Sequence, residues 1–217
     1  MSTSARSLRF IQRRDFQKTL NERVNAYLRE NHIPGRDVPA MYVKTAVILA
    51  WWLGTYLLIL LGNFPWWANI LLCLVWGLAI ASVGFNVMHD ANHNGYSDKP
   101  IVNKIVSLSA EMLGMSGFRW RTKHNVWHHT YTNIAGFDDD IETFGTLRLT
   151  PRAPWKPLYR AQAWYFPGVY SMIGFDFFLR DFLMVMLGKS DAHHVYPKMS
   201  VVDKITFWAG KVFFVVI

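Results

Sequence analysis

The sequence predicts an all-α integral membrane protein, a transmembrane helical hairpin followed by cytoplasmic and interfacial helices. Three observations predict it. Residues 41–61 and 66–88 are two apolar runs, each reaching the roughly 20 residues needed to cross about 30 Å of hydrocarbon. Of the 217 residues, 52% are hydrophobic and 16% aromatic, with ten Trp, which is rich for a soluble domain. Elsewhere the apolar residues recur at helical spacing. A buried hairpin inside a large soluble core is disfavoured, because 66–88 carries no charge along its whole length.

The elements follow in chain order. Residues 15–30 form an amphipathic helix with Phe16, Leu20, Val24 and Tyr27/Leu28 along one stripe, ended by Pro34-Gly35. It is expected to lie on the membrane surface or to pack on the cytoplasmic domain, and His32 beyond it is expected in solvent. The first span, 41–61, is interrupted near its start by Lys44 and Thr45. Gly62-Asn63-Phe64-Pro65 is a tight turn, and the pairs Trp51-Trp52 and Trp66-Trp67 suit interfacial anchoring. Arg6, Arg9, Arg13, Arg14, Lys18, Arg23, Arg29 and Arg36 precede the spans, while the turn is uncharged. The positive-inside rule then places the N-terminus and everything after Met88 in the cytoplasm. The net charge of +8 follows from that topology and anionic headgroups, with no need of nucleic acid. A single cysteine, Cys73, gives no disulfide framework, and nothing resembles a cleaved signal peptide.

After the hairpin, 101–115 and 119–130 have helical periodicity, and Asp138, Asp139, Asp140 and Glu142 form an acidic turn. Pro151, Pro154 and Pro157 mark an irregular connector. Residues 161–187 are apolar and aromatic but hold Asp176, Arg180 and Asp181, which argues for an interfacial or protein-covered helix. A third run, 205–217, has 13 residues, too few to span. The chain is expected to be one domain, 1–217, incomplete at its C-terminus: an N-terminal helix within 1–40, two spans in 41–88, a cytoplasmic region at 89–204, and the start of a third span at 205–217.

Five histidines carry the chemistry. His89 and His93 form an HxxxH, and His124, His128 and His129 an HxxxHH. Residues four apart share a helix face, with Cβ atoms roughly 5–6 Å apart, so each pair can aim two imidazoles at one point. Neutral imidazole suits iron, zinc or copper. His129, about 100° further round an α-helix, would reach a second ion beside the first.

HDANHNGYS at 89–97 and KHNVWHHTYTNIAGFDDDIE at 123–142 resemble the first two histidine boxes of membrane fatty acid desaturases. The best match is to the linoleoyl-CoA (front-end) type and its bacterial relatives. The likeness extends from FQKTLNERVNAYL at 16–28 to PKMS at 197–200. It implies a cytoplasmic site of two non-haem irons held by His89, His93, His124, His128 and His129, with dioxygen as co-substrate. Each turnover would take two external electrons and leave a cis double bond in a long-chain acyl group, on coenzyme A or on a lipid. The third box of the family, HxxHH or QxxHH, is absent. Asp191-Ala192-His193-His194 is expected to be loop, since Ser190 stands where His or Gln is required. His32-Ile33-Pro34-Gly35 is not the family's haem motif, so electrons are expected from a separate ferredoxin or cytochrome b-type protein with a reductase. The implied membrane is a bacterial inner membrane, or the endoplasmic reticulum in a eukaryote. Five histidines leave two irons short of ligands, so this chain alone is expected to be inactive.

Carboxylates behind the imidazoles should set ring orientation and basicity. Asp90, Asp138, Asp139, Asp140 and Glu142 are the candidates. Arg119, Arg121 and Lys123 could hold phosphates of a coenzyme A or a headgroup, although ordinary positive-inside charge is the preferred reading of them. Two rival functions remain at this stage. One is another histidine-box oxygenase, a hydroxylase or ketolase. The other is a non-catalytic metal-binding membrane protein.

Overall fold

A computed structural model describes residues 8, 14–143, 145–188 and 194–216. Among them the regular structure is helical, with no β-strand. Helix α1 (Arg14–Glu30) is followed by α2 (Pro39–Leu61) and α3 (Trp66–Asn92). Pro39 opens α2 at a position where its missing N–H costs nothing, and Pro65 precedes α3 in the extended conformation that proline fixes.

Helices α2 and α3 are long and apolar enough to cross a membrane, and only 17% of the residues in each one's most apolar stretch are buried. They pack along Ile48, Trp52, Ala79, Val83 and Val87. Ala79 and Val83 are fully covered, and their small side chains let the two backbones approach closely. Near the base of the hairpin, the Tyr96 hydroxyl lies 2.6 Å from Thr45 Oγ1 and donates to Asn86 O at 3.0 Å. The turn after α3 is thereby fastened to both spans. Asp37 adds a second fastening, accepting from Asp98 N at 2.9 Å while its own N–H donates to Tyr96 O.

Beyond the hairpin come α4 (Pro100–Ser107), the short α5 (Ser109–Met112) and α6 (117–131). A loop through the acidic turn leads to α7 (Gln162–Ser171), α8 (Ile173–Leu187) and α9 (Val201–Val216). The expected segment 161–187 is thus two helices broken at Met172. Gly188, with φ of 65°, ends α8 in the left-handed conformation that glycine adopts without strain. A second cluster of Trp127, Met184, Tyr196 and Phe207 packs α6, α8 and α9 together. A Cβ on Gly210 would stand 2.6 Å from Glu111 Cβ, so a residue without a side chain lets α9 close on α5.

Three buried charges sit in that second region. Asp181 accepts from Ser116 N and from Lys211 Nζ, at 2.7 and 2.6 Å, and Arg119 lies 3.5 Å away. Lys211 Nζ also donates to Gly114 O at 2.6 Å and lies over the Phe178 ring at 4.7 Å. Lys211 falls within the third apolar run, where the sequence pattern assigns it no role. It is instead the centre of the contact between α9 and the rest of the molecule.

Candidate metal centre

The last turn of α3 and the middle of α6 bring the histidines together, and both do so through π turns. His89 N–H donates to Gly84 O, and His129 N–H to His124 O, each five residues back. A π turn widens the helix by one residue, and such turns are frequent at functional sites. Its effect in α6 corrects the α-helical expectation for His129. Residues five apart now stand one above the other, so His124 and His129 share a face, with ring centroids 4.9 Å apart.

The two helices interleave their imidazoles. Ring centroids are 4.5 Å apart for His89–His93, 5.3 Å for His93–His124, 5.0 Å for His93–His129 and 5.1 Å for His124–His128. One ligand atom from each of His89, His93 and His124 lies within 4.8 Å of the others, and the same holds for His124, His128 and Asp140. All five predicted histidines therefore meet, and His124 belongs to both groups.

The carboxylates divide. Asp138, fully buried, places Oδ1 2.9 Å from His128 Nδ1 and is itself fixed by the N–H groups of Asn133 and Asp140. Asp140 Oδ2 lies 3.2 Å from His124 Nδ1, while its Oδ1 pairs with Lys123 at 3.1 Å. Asp90 lies between His89 Nδ1 at 3.5 Å and Lys44 at 3.3 Å. These contacts occupy Nδ1 and leave Nε2 of the same rings for a metal, the usual arrangement behind a ligating histidine. Asp139 is buried in the wall of the cavity beside His124. Glu142 departs from expectation, because its carboxylate accepts from Gly136 N and holds the loop rather than an imidazole.

The basic trio is also corrected. Arg119 is 5% exposed and faces Asp181, so it is not open to a phosphate. Arg121 donates to Asn92 at 3.1 Å and pairs with Asp203, and Lys123 pairs with Asp140. His32 is exposed, with φ of 52°, and belongs to neither group of candidate ligands among the described residues. Asp191 and His193 lie outside the described residues. His194 stacks on Trp127 at 4.7 Å and donates from Nε2 to Phe137 O, which makes it a packing residue of the α6 face.

Trp120 is a site residue that the sequence pattern did not single out. It stacks on His124 at 4.4 Å and meets His89 and His93 edge-on. Its spacing of four from His124 was the available signal. Beside it lies a cavity of about 480 Å³, lined by Leu147, Val169, Met172, Ile173 and Phe177 as well as Trp120 and His124.

Burial sets the electrostatics. Desolvation, helped by neighbouring His89 and His124, pushes His93 down to about 4, so its ring stays neutral and able to ligate. Burial alone would raise Asp140, but its hydrogen bond to His124 and the charge of Lys123 hold it well below the usual carboxylate range. Glu111, which anchors the start of α6 by accepting from Gly117 N at 2.9 Å, is pushed up to about 7 by desolvation.

That last shift makes a pH prediction. The folded value lies above the ordinary 4.5, so the folded state favours the protonated acid. The associated stability is present below pH 4.5 and is lost as pH rises through about 7, on the order of 3 kcal/mol in all. Denaturant unfolding of Glu111→Gln against wild type should show this slope in wild type only. An equal slope in both would show that another group carries it.

Two helices apolar enough to span, a helical layer beyond them and five converging imidazoles describe a helical membrane protein with a histidine cluster that could hold a metal. The chain belongs to the fatty acid desaturase family, which it matches along residues 65–215. It is 38% identical over 216 residues to the sn-1 linoleoyl-lipid 6-desaturase of Synechocystis sp., covering 97% of this chain and 60% of that protein. Identity to the enzyme of the same name from Arthrospira platensis is also 38%, over 98% of this chain and 58% of the relative. The acyl-lipid (8-3)-desaturase of Mortierella alpina is 31% identical over 92% of this chain and 46% of its own length. The chain therefore spans about 60% of the length of the first two relatives. No solved structure matches it.

Proposed function

We propose that the histidine cluster is the di-iron centre of a membrane fatty acid desaturase. The reaction places a cis double bond in a long-chain acyl group carried on a lipid or on coenzyme A. It consumes dioxygen, two electrons from an external ferredoxin or cytochrome b-type donor and two protons, and releases two waters. The observation that carries this is the convergence of both histidine stretches on one point at the end of a span, with carboxylates behind them. The donor set fits iron, since several neutral imidazoles are borderline ligands suited to it.

Two irons bound there would supply the oxidising power that an unactivated methylene requires. The chain's own residues do the rest. Asp138 and Asp140 hold the rings of His128 and His124 so that Nε2 is presented. Trp120 covers one side of the imidazoles and closes the cavity end against them. Leu147, Val169, Met172, Ile173 and Phe177 give the cavity an apolar wall that suits methylenes. The charge distribution around the spans supports a cytoplasmic position for the cluster, within reach of soluble electron donors.

The test is expression of the complete protein in a host of defined lipid profile, with fatty-acid analysis. New unsaturated species are expected. Hydroxylated or keto products alone would identify a different oxygenase, and no new species at all would remove the desaturase assignment.

A further inference from the structure

Lys44 is the one charge in the apolar run 41–61, and the run 66–88 carries none. A cation inside a membrane span is costly and marks a functional contact more often than an accident. A lysine near the start of a span can snorkel outward to lipid headgroups, or it can turn inward to a carboxylate. Lys44 turns inward. Its Nζ lies 3.3 Å from Asp90 Oδ2 across the hairpin, 46 residues away, and Oδ1 of that carboxylate lies 3.5 Å from His89 Nδ1.

The next residue keeps this contact in register. Thr45 Oγ1 lies 2.6 Å from the Tyr96 hydroxyl, which donates to Asn86 O on α3, so the two helices are fastened beside the lysine. Asp90 needs such a hold. Adjacent residues on a helix point about 100° apart, so helix geometry alone does not aim Asp90 at His89. Its side chain is 32% exposed, and once released it would turn to water. The same order recurs at the second histidine stretch. Asp140 sets Oδ1 3.1 Å from Lys123 Nζ and Oδ2 3.2 Å from His124 Nδ1. Behind His128, the N–H groups of Asn133 and Asp140 take the lysine's place and fix Asp138. Each of these three carboxylates has its own anchor, and for Asp90 the anchor is Lys44.

We propose that Lys44 is a positioning residue of the histidine cluster. By holding Asp90 it keeps the proton of the His89 ring on Nδ1 and leaves Nε2 free for a metal. The first span is thereby part of the centre, although the histidines themselves stand only on α3 and α6. The consequence for a bound metal rests on the metal-centre reading of the cluster, whereas the hold of Lys44 on Asp90 and on the His89 ring does not.

The chain, isotopically labelled at its histidine ring nitrogens, is to be placed in phosphatidylcholine bilayers without metal. Solid-state NMR at alkaline pH, where imidazole is neutral, reads which nitrogen holds the proton, and His89→Ala identifies the His89 signals. Wild type should carry it on Nδ1, Lys44→Met should shift it toward Nε2, and Lys44→Arg, which keeps a cation there, should leave it on Nδ1. In a ferrous ion titration Lys44→Met should bind about tenfold more weakly than wild type, the lower end of the range for groups behind a ligand. In an Asp90→Asn chain the same substitution should cost nothing further, because a residue that acts through Asp90 has nothing left to act on. A proton unmoved in Lys44→Met, a Lys44→Arg chain no better than Lys44→Met, or an equal loss of affinity with and without Asp90 overturns the proposal. Wild-type chain that binds no iron would count against the metal-centre reading alone, and the position of the His89 proton would still decide the role of Lys44.

Discussion

Substituting His124 by alanine is expected to remove most metal binding by the chain, weakening it by more than about 100-fold, beyond the 10–100-fold typical of groups behind a ligand. His124 is the one imidazole common to both candidate groups, so its loss leaves His89 and His93 on one side and His128, backed by Asp140, on the other. Neither remainder holds three of its original donors. His129→Ala should do less, because His129 belongs to neither three-residue group. Asp138→Asn should fall in the 10–100-fold range, since it keeps shape but weakens the hold on His128 Nδ1. Ferrous ion titration of the three purified variants ranks them. Equal loss for His124→Ala and His129→Ala would contradict the shared position of His124.

The largest expected effect on stability is at Lys211. Lys211→Met leaves the carboxylate of Asp181 buried with only Arg119, at 3.5 Å, as a cationic partner. Breaking a buried ion pair by removing one partner costs about 3–5 kcal/mol, because the remaining charge is left uncompensated. The same substitution removes the hydrogen bond to Gly114 O. Adding Asp181→Leu to Lys211→Met should recover part of the loss by taking out the stranded charge, though it also unfastens Ser116 N. Denaturant unfolding followed by tryptophan emission reads both. No change in Lys211→Met, or a double variant weaker than the single by the full cost of Asp181, would show that the cluster does not hold α9.

Much of this was legible in the sequence, and the exceptions have physical causes. The spans were legible because apolar runs of about 20 residues with at most one charge have few folds other than a membrane helix. Four of the histidines were legible because spacing of four already places pairs on one face, and His129 because it adjoins the second pair. The π turns were not, since no residue type marks an extra residue in a helix, and so the share of His129 in the His124 face was missed. Arg119 was misread and Lys211 passed over for one reason. A cation in a sequence looks solvated or topogenic, and only the fold shows that Asp181, 62 residues from one and 30 from the other, pairs with both. Glu142 sat among carboxylates that do reach the histidines, and only the path of the loop separates its role from theirs.

The central claim is that imidazoles of both stretches ligate the same metal centre. X-ray absorption on the purified chain loaded with ferrous ion tests it most directly. The account predicts nitrogen donors with imidazole outer-shell scattering, and a fall in that scattering when either His93 or His128 is replaced by alanine. A shell of oxygen donors only, or one that responds to His93→Ala but not to His128→Ala, would contradict it.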